Sequence, residues 1–202
     1  MAPVLVKNLE RRRFEAYYCG TRGEAADKAL SLMPPKSSVS WGGSVTLEQC
    51  GLIERVRGGP YKVLDRADAG TPEEREDLMR RAMSVDFFLT SFNGVSMDGR
   101  LVNVDSTGNR VAATIYGPRN VIAVVGMNKV CMDGSGALGR SLGMAAQLNA
   151  ARFGKEGTLF TGDDITADCQ AEGSICNVIA EIAYCKPEGR IKVILVGEDL
   201  GF

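Results

Sequence analysis

The order of apolar runs and helix-like stretches predicts an α/β protein. It would be built on a mainly parallel sheet covered on both faces, with an antiparallel hairpin at the C-terminal end. Three observations carry this. VDFFLT (Val85 to Thr90) and NVIAVV (Asn120 to Val125) are largely apolar throughout, the pattern of strands buried on both faces. Helix-like segments separate successive strands, as crossovers between parallel strands require. Near the end, Ile175 to Tyr184 and Ile191 to Val196 read as strands joined by Lys186-Pro187-Glu188-Gly189, a turn signal.

Residues 7 to about 32 are rich in Glu, Arg, Ala and Leu and read as helix, with Gly20 and Gly23 as points where it splits; Met33-Pro34-Pro35 ends it. Ser38 to Trp41 is a short strand, followed by a helix from about Val45 to Val56 with Val45, Leu47, Leu52, Ile53 and Val56 as apolar positions. Tyr61 to Leu64 is the next strand. Thr71-Pro72-Glu73-Glu74 starts a helix that runs to about Met83: a capping hydroxyl, Pro at the first helical position, then acids in the first turn. After the strand 85–90, Gly94-Val95-Ser96 and Arg100 to Val104 flank Asp98-Gly99, a hairpin turn. A helix over Asn109 to Ile115, the strand 120–125 and a Gly- and Ala-rich helix within 133–153 follow. Residues 154–173 have the weakest pattern. No repeat or linker divides the chain; residues 1–35 read as an N-terminal helical segment and 36–202 as the main α/β unit of one compact domain.

Composition excludes several classes. The 202 residues are 45% apolar and 24% charged, with 24 Lys plus Arg against 25 Asp plus Glu, ordinary for a globular protein. A formal charge of −1 gives no general reason to expect a nucleic-acid partner. The run Arg11-Arg12-Arg13 is either a solvated helix face or a binding patch. No apolar run reaches the roughly 18 residues needed to span a bilayer, and the first residues lack a secretory pattern, so a cytoplasmic setting with reduced thiols is expected. The six cysteines then read as core residues, nucleophiles or metal ligands. Histidine is absent, which removes Ser-His-Asp and Cys-His catalysis and any His-ligated metal. Proton transfer must use Asp, Glu, Lys, Cys, Tyr or a cofactor.

Ligands of open parallel sheets bind beyond the carboxyl ends of the strands, and three loops there carry suitable chemistry. In Trp41-Gly42-Gly43-Ser44-Val45-Thr46, paired glycines and hydroxyls open a helix and suit a phosphate, a carboxylate or an oxyanion; a Gly-rich turn with Ser44 as helix cap explains the same residues. Neither a dinucleotide fingerprint nor a P-loop is present. After the hairpin, Asn103, Asp105, Ser106, Thr107, Gly108, Asn109 and Arg110 form a polar run. Arg110 is suited to clamp an oxyanion, and Asp105 to act as a base or to order Arg110; a helix cap is the rival for Asp105 or Thr107. The third loop is Gly126-Met127-Asn128-Lys129, with Lys129 a ligand group or plain surface. Cys169 and Cys176, seven residues apart, are candidate metal ligands, although closed sites usually take four.

Together WGGSVTLEQCGL, FLTSFNGVSMDGRLVNVDSTGNRVAATIYGPRNVIAVVGMNKV and the terminal ICNV…RIKVILVGEDLGF resemble the lactate-utilisation (LUD) domain family. The likeness runs from about Ser38 to the C-terminus. It extends to the wider NagB/RpiA/CoA-transferase-like superfamily, whose members set a Gly-rich strand-to-helix loop and a hairpin block around a phosphate-, sugar- or CoA-binding cleft. The resemblance implies a three-layer α/β/α sandwich and a role in oxidation of L-lactate to pyruvate or a related organic-acid pathway, beside iron–sulfur oxidoreductase subunits. The resemblance implies a cleft for a small anion or a nucleotide-like molecule lined by Gly42, Gly43, Ser44, Thr46 and Asp105 to Arg110. With the loop readings, the candidate ligand-binding set is Trp41, Gly42, Gly43, Ser44, Thr46, Asn103, Asp105, Thr107, Gly108, Asn109, Arg110, Asn128 and Lys129. A transferase or isomerase of the superfamily's kind, with Asp105 or Glu48 as base or nucleophile, is the alternative, and a non-catalytic subunit, or a homodimer, is a further one. Many members carry a four-cysteine run of the form TPC…TGxCxDC…ICN, suited to an iron–sulfur cluster. Here Phe160 and Thr166 stand at the first two of those positions, and Cys169 and Cys176 remain.

Overall fold

The computed structural model describes residues 1–152, 154 and 174–202. In chain order its elements are α1 (Ala2–Arg11), β1 (Glu15–Cys19), α2 (Arg22–Ser31), β2 (Ser38–Trp41), α3 (Val45–Gln49), α4 (Leu52–Arg57), β3 (Lys62–Leu64), α5 (Pro72–Arg81), β4 (Phe87–Thr90), β5 (Gly94–Ser96), β6 (Leu101–Asp105), α6 (Asn109–Ile115), β7 (Asn120–Gly126), β8 (Val130–Cys131), α7 (Gly134–Arg140), α8 (Ala146–Arg152), β9 (Val178–Ile182) and β10 (Ile191–Val196). A single π-helical turn, Ser141–Ala145, joins α7 to α8.

Six strands form a parallel sheet in the order β1-β10-β7-β4-β2-β3, and four form a mixed sheet in the order β8-β5-β6-β9. Successive residues of the central strands face opposite ways, as the pleat requires. Ile122, Val124, Ile194 and Val196 pack with Ala26, Leu47, Leu52 and Val56 of α2, α3 and α4. Their neighbours Val121, Ala123, Val193 and Leu195 pack with Leu5 and Leu9 of α1, Ala113 of α6, and Val95 and Leu101 of the small sheet. Helices thus cover one face of the parallel sheet, and α1, α6 and the small sheet cover the other. Each fully buried Leu or Ile stabilises this arrangement by about 2 kcal/mol relative to exposure. The expected α/β fold with a mainly parallel sheet is present, and its second outer layer combines helices with the mixed sheet.

Three local readings need correction. Residues 7–32 are not one helix: Arg13, at φ 63 in the left-handed region, ends α1, and Glu-Ala-Tyr-Tyr-Cys runs as β1 beside β10. The helix-forming composition of the window hid a five-residue strand with aromatic residues suited to it. The helix over 45–56 is two, α3 and α4, broken at Gly51 with φ 63. The C-terminal strands do not pair as a hairpin. β9 runs antiparallel to β6 in the small sheet, whereas β10 enters the parallel sheet between β1 and β7. The reason is burial. Ile191, Val193, Ile194, Leu195 and Val196 are each at most 2% exposed, so β10 needs cover on both faces, while Val178–Ile182 alternates between half-buried and exposed.

Other boundaries agree closely. β2, α6 and β10 occupy the expected spans, and the Thr71 side chain accepts from the Glu74 amide to cap α5. The Asp98-Gly99 turn joins β5 and β6, with Gly99 at φ 89. No helix among the described residues is long and apolar enough to cross a membrane.

Candidate functional site

The chain reverses its winding between β2 and β4. From β2 it passes through α3 and α4 on one face. From β4 it passes through β5, β6 and α6 on the other. Adjacent parallel strands whose connections leave on opposite faces open a crevice beyond their carboxyl ends. Four segments meet there: Gly43 to Thr46 after β2, Ser91 to Asn93 after β4, Lys129 after β7, and Phe202 beyond β10. Arg110 from α6 and Asn149 and Arg152 from α8 complete a narrow chamber of about 30 Å³, room for one or two waters. It adjoins an outer cleft of about 180 Å³ lined by Gly43, Arg66, Arg75, Asp105, Ser106, Thr107, Asn109, Arg110, Asn149 and Arg152.

Lys129 is the innermost charged group, 3% exposed. Its Nζ donates to Thr46 Oγ1 at 2.8 Å and Ser91 Oγ at 3.0 Å. Among the described residues no carboxylate lies within ion-pair distance of it. Burial, then Arg140 and Arg110, push its pKa down to about 7, with Cys50 a smaller opposing influence. Arg140 stands close because its guanidinium straps two loops, donating to the Asn93 carbonyl at 2.5 Å and the Asn128 carbonyl at 3.2 Å.

Arg110 lies across the boundary between chamber and cleft. Its Nη2 donates to the Val104 carbonyl at 2.6 Å and to Asn93 Oδ1 at 3.1 Å, and Asp105 is 3.6 Å away. Its Nε is buried without a hydrogen-bond partner among the described residues, as is Nδ2 of the adjoining Asn103. Burial lowers the Arg110 pKa more than Asp105 raises it. Burial and Arg75 likewise lower that of Arg66. Asp105 offsets part of this positive charge and is also engaged with the backbone. Its Oδ2 accepts from the Arg110 amide at 3.0 Å and the Val111 amide at 3.3 Å. Asp105 is therefore both the cap of α6 and the neighbour of Arg110.

The sequence-derived residues divide. Gly43, Ser44, Thr46, Asp105, Thr107, Asn109, Arg110 and Lys129 converge on chamber and cleft. Ser44 also caps α3, accepting from the Leu47 amide. Gly42 abuts the Arg110 stem, whose carbons lie 3.4 Å from where a Cβ would stand. Trp41 turns into the helix-covered core, with the Arg57 guanidinium over its ring. Asn103 lies behind Asn93, accepting from its amide. Asn128 holds the C-terminal residues, accepting from the Leu200 amide and donating to the Gly201 carbonyl. Gly108, in the left-handed region, lines a neighbouring apolar groove with Met79 and Met83. Glu48 is exposed on α3 and lines neither space. Arg66, Arg75, Ser91, Asn93, Arg140 and Arg152 were not anticipated. Ser91 and Asn93 carried a readable signal, since SFN directly follows the buried strand β4. The arginines come from helices distant in sequence and carried none.

The cysteines do not assemble a metal centre among the described residues. No three His, Cys, Asp or Glu side chains cluster there. Cys176 is 2% exposed and packs with Val104, Ala146, Ala150 and Ile175. Cys19 and Cys50 lie in the core on one face of the parallel sheet and Cys185 in the core on the other. Cys169 lies outside the described residues. The described residues alone assemble no ligand set for an iron–sulfur cluster.

The fold and crevice define an α/β protein with a cationic cleft at the switch point of a parallel sheet. The LUD domain family model matches residues 2–196, and the chain belongs to that family. Its structure is similar to the crystal structure of a DUF162 family protein from Deinococcus radiodurans, with a TM-score of 0.53 and 13% identity over 97% of this chain and 98% of that one. That identity speaks to the fold alone. A weaker similarity, to eIF2B delta from Chaetomium thermophilum, has a TM-score of 0.35 and 18% identity over 55% of this chain and 48% of that one. No curated protein matches the chain.

Proposed function

We propose that this LUD-domain protein takes part in the oxidation of L-lactate to pyruvate or a related organic-acid pathway, and that its cleft holds a small anion. One observation supports this above the others. Lys129 and Arg110 are buried on the same chamber, where among the described residues Asp105, 3.6 Å from Arg110, is the carboxylate at hand, and Arg66, Arg75 and Arg152 border the adjoining cleft. Buried cations are retained when something neutralises them. A carboxylate, phosphate or phosphoanhydride entering from the outer cleft supplies that charge, with Arg110 suited to the planar group.

The test is ligand-dependent thermal shift with lactate, pyruvate, CoA and nucleotides on wild type and Arg110→Ala. At least one anion is expected to raise the melting temperature of the wild type and to do so far less in the variant. Flat, equal responses from both across the panel contradict the reading.

A further inference from the structure

The two carboxylates that sequence suggested as base or nucleophile are poorly placed: Glu48 is exposed away from the chamber, and Asp105 is occupied at the start of α6. The group that does face the chamber with reactive chemistry is Lys129. Its amine is nearly enclosed, among the described residues it touches two hydroxyls and no carboxylate, and cations approach it from α6 and α7, Arg110 and Arg140 respectively, with the Cys50 thiol a smaller influence. Such surroundings disfavour ammonium and favour a free amine. A free amine in an enclosed cavity is a nucleophile toward carbonyl carbon. Arg110 lines the same chamber with a buried Nε that has no acceptor among the described residues.

We propose that Lys129 forms a reversible imine with the carbonyl of a short 2-oxo acid whose carboxylate is taken by Arg110. The proposal rests on the anion-cleft reading and names the ligand class that fits its innermost part. The chamber of about 30 Å³ admits only the carbonyl end of a ligand, so a carboxylate on the neighbouring carbon lies beside Arg110, which also borders the cleft of about 180 Å³ where the rest of the molecule extends. The Nζ lone pair forms the new C–N bond while the carbonyl π pair moves to oxygen, which takes a proton. Loss of the second N–H proton and departure of that oxygen as water leave the C=N bond. No oxidant or other co-reactant is needed. Ser91 and Thr46, within 3.0 Å of Nζ, are placed to pass these protons.

The experiment traps the imine. The full chain is incubated with pyruvate and cyanoborohydride, then analysed by intact mass and peptide mapping, with thermal shift by pyruvate and by lactate measured in parallel without reductant. The expected result is one reduced pyruvate unit on the peptide carrying Lys129. Its formation rate should rise through a midpoint near pH 7 and then level off, as a group held at about 7 requires; an ordinary lysine titrates near pH 10. Ser91→Ala keeps the amine and should slow trapping several-fold; Lys129→Arg should abolish it. Pyruvate-dependent stabilisation without an adduct, or an adduct spread equally over exposed Lys7, Lys36, Lys62 and Lys186, overturns the imine and leaves the cleft standing. Absence of both stabilisation and adduct overturns both.

Discussion

Two charge clusters in this molecule are built in opposite ways. At the β5–β6 turn, the Asp98 carboxylate takes Arg12 at 2.7 Å and Arg100 at 3.0 Å and accepts from the Ser96 hydroxyl. Arg100 also holds Glu181 at 2.7 Å, and Arg12 donates to the Asp98 and Ala183 carbonyls. Every charge there has an opposite neighbour, and the network ties the end of α1, the hairpin and the segment after β9 together. In the cleft, among the described residues, Lys129 meets only hydroxyls and Arg110 meets a carboxylate that also accepts from two amides. The first cluster is closed and serves the fold. On the proposed reading, the second carries a surplus of positive charge that weakens the folded state until an anion enters. The difference separates charges that hold the chain together from charges that we propose are kept for a ligand.

The largest expected effect is on the pH dependence of stability. The Lys129 pKa is about 7 in the folded state and about 10.4 unfolded. Between those values the unfolded chain holds a proton that the folded chain lacks, so stability rises with pH from about 7 to about 10, by up to about 1.4 kcal/mol per pH unit. The destabilisation is fully present below pH 7 and vanishes above the unfolded value. Urea titrations at several pH values should show this slope in wild type and lose it in Lys129→Met. An unchanged slope would mean that Lys129 is already neutralised.

A smaller effect sharpens the other side of the comparison. Asp98→Ala removes the hub of the closed network. The Asp98 side chain is 46% exposed, so solvent screening holds the expected loss to about 1 kcal/mol. Chemical denaturation should show that loss while anion-dependent thermal shifts stay as in wild type. The smallest effect is at the rim of the cleft. Arg75 is exposed on α5, and Arg75→Ala should weaken anion binding by less than about 1 kcal/mol, a deficit that disappears at high salt. A large, salt-independent loss would place Arg75 inside the site.

Much of this was legible from sequence, for reasons that differ by region. β4 and β7 announced themselves because apolar residues on both faces leave few alternatives, and α5 because Thr71 and Pro72 fix its start through local chemistry. DSTGNR was legible as polar chemistry after a strand; that one carboxylate both caps α6 and neighbours Arg110 is a geometric fact that residue types do not encode. β10 was placed in a hairpin because the turn is local, whereas its pairing with β1 and β7 joins residues far apart in the chain. The same non-locality hid Arg66, Arg75 and Arg152. Lys129 was identified as facing the right edge, but its burial depends on Thr46, Ser91 and Arg140, which three other segments supply.

The central claim is that buried positive charge in the cleft is kept for a ligand at the expense of the fold. It is tested most directly by measuring the melting temperature of Lys129→Met and wild type at pH 7, each with and without pyruvate or phosphate. The account predicts that the variant is at least as stable as wild type without anion, since an apolar isostere replaces a buried cation without an opposite charge, and that it loses most of the anion-dependent gain. A variant that is markedly less stable yet keeps the full anion response would contradict it.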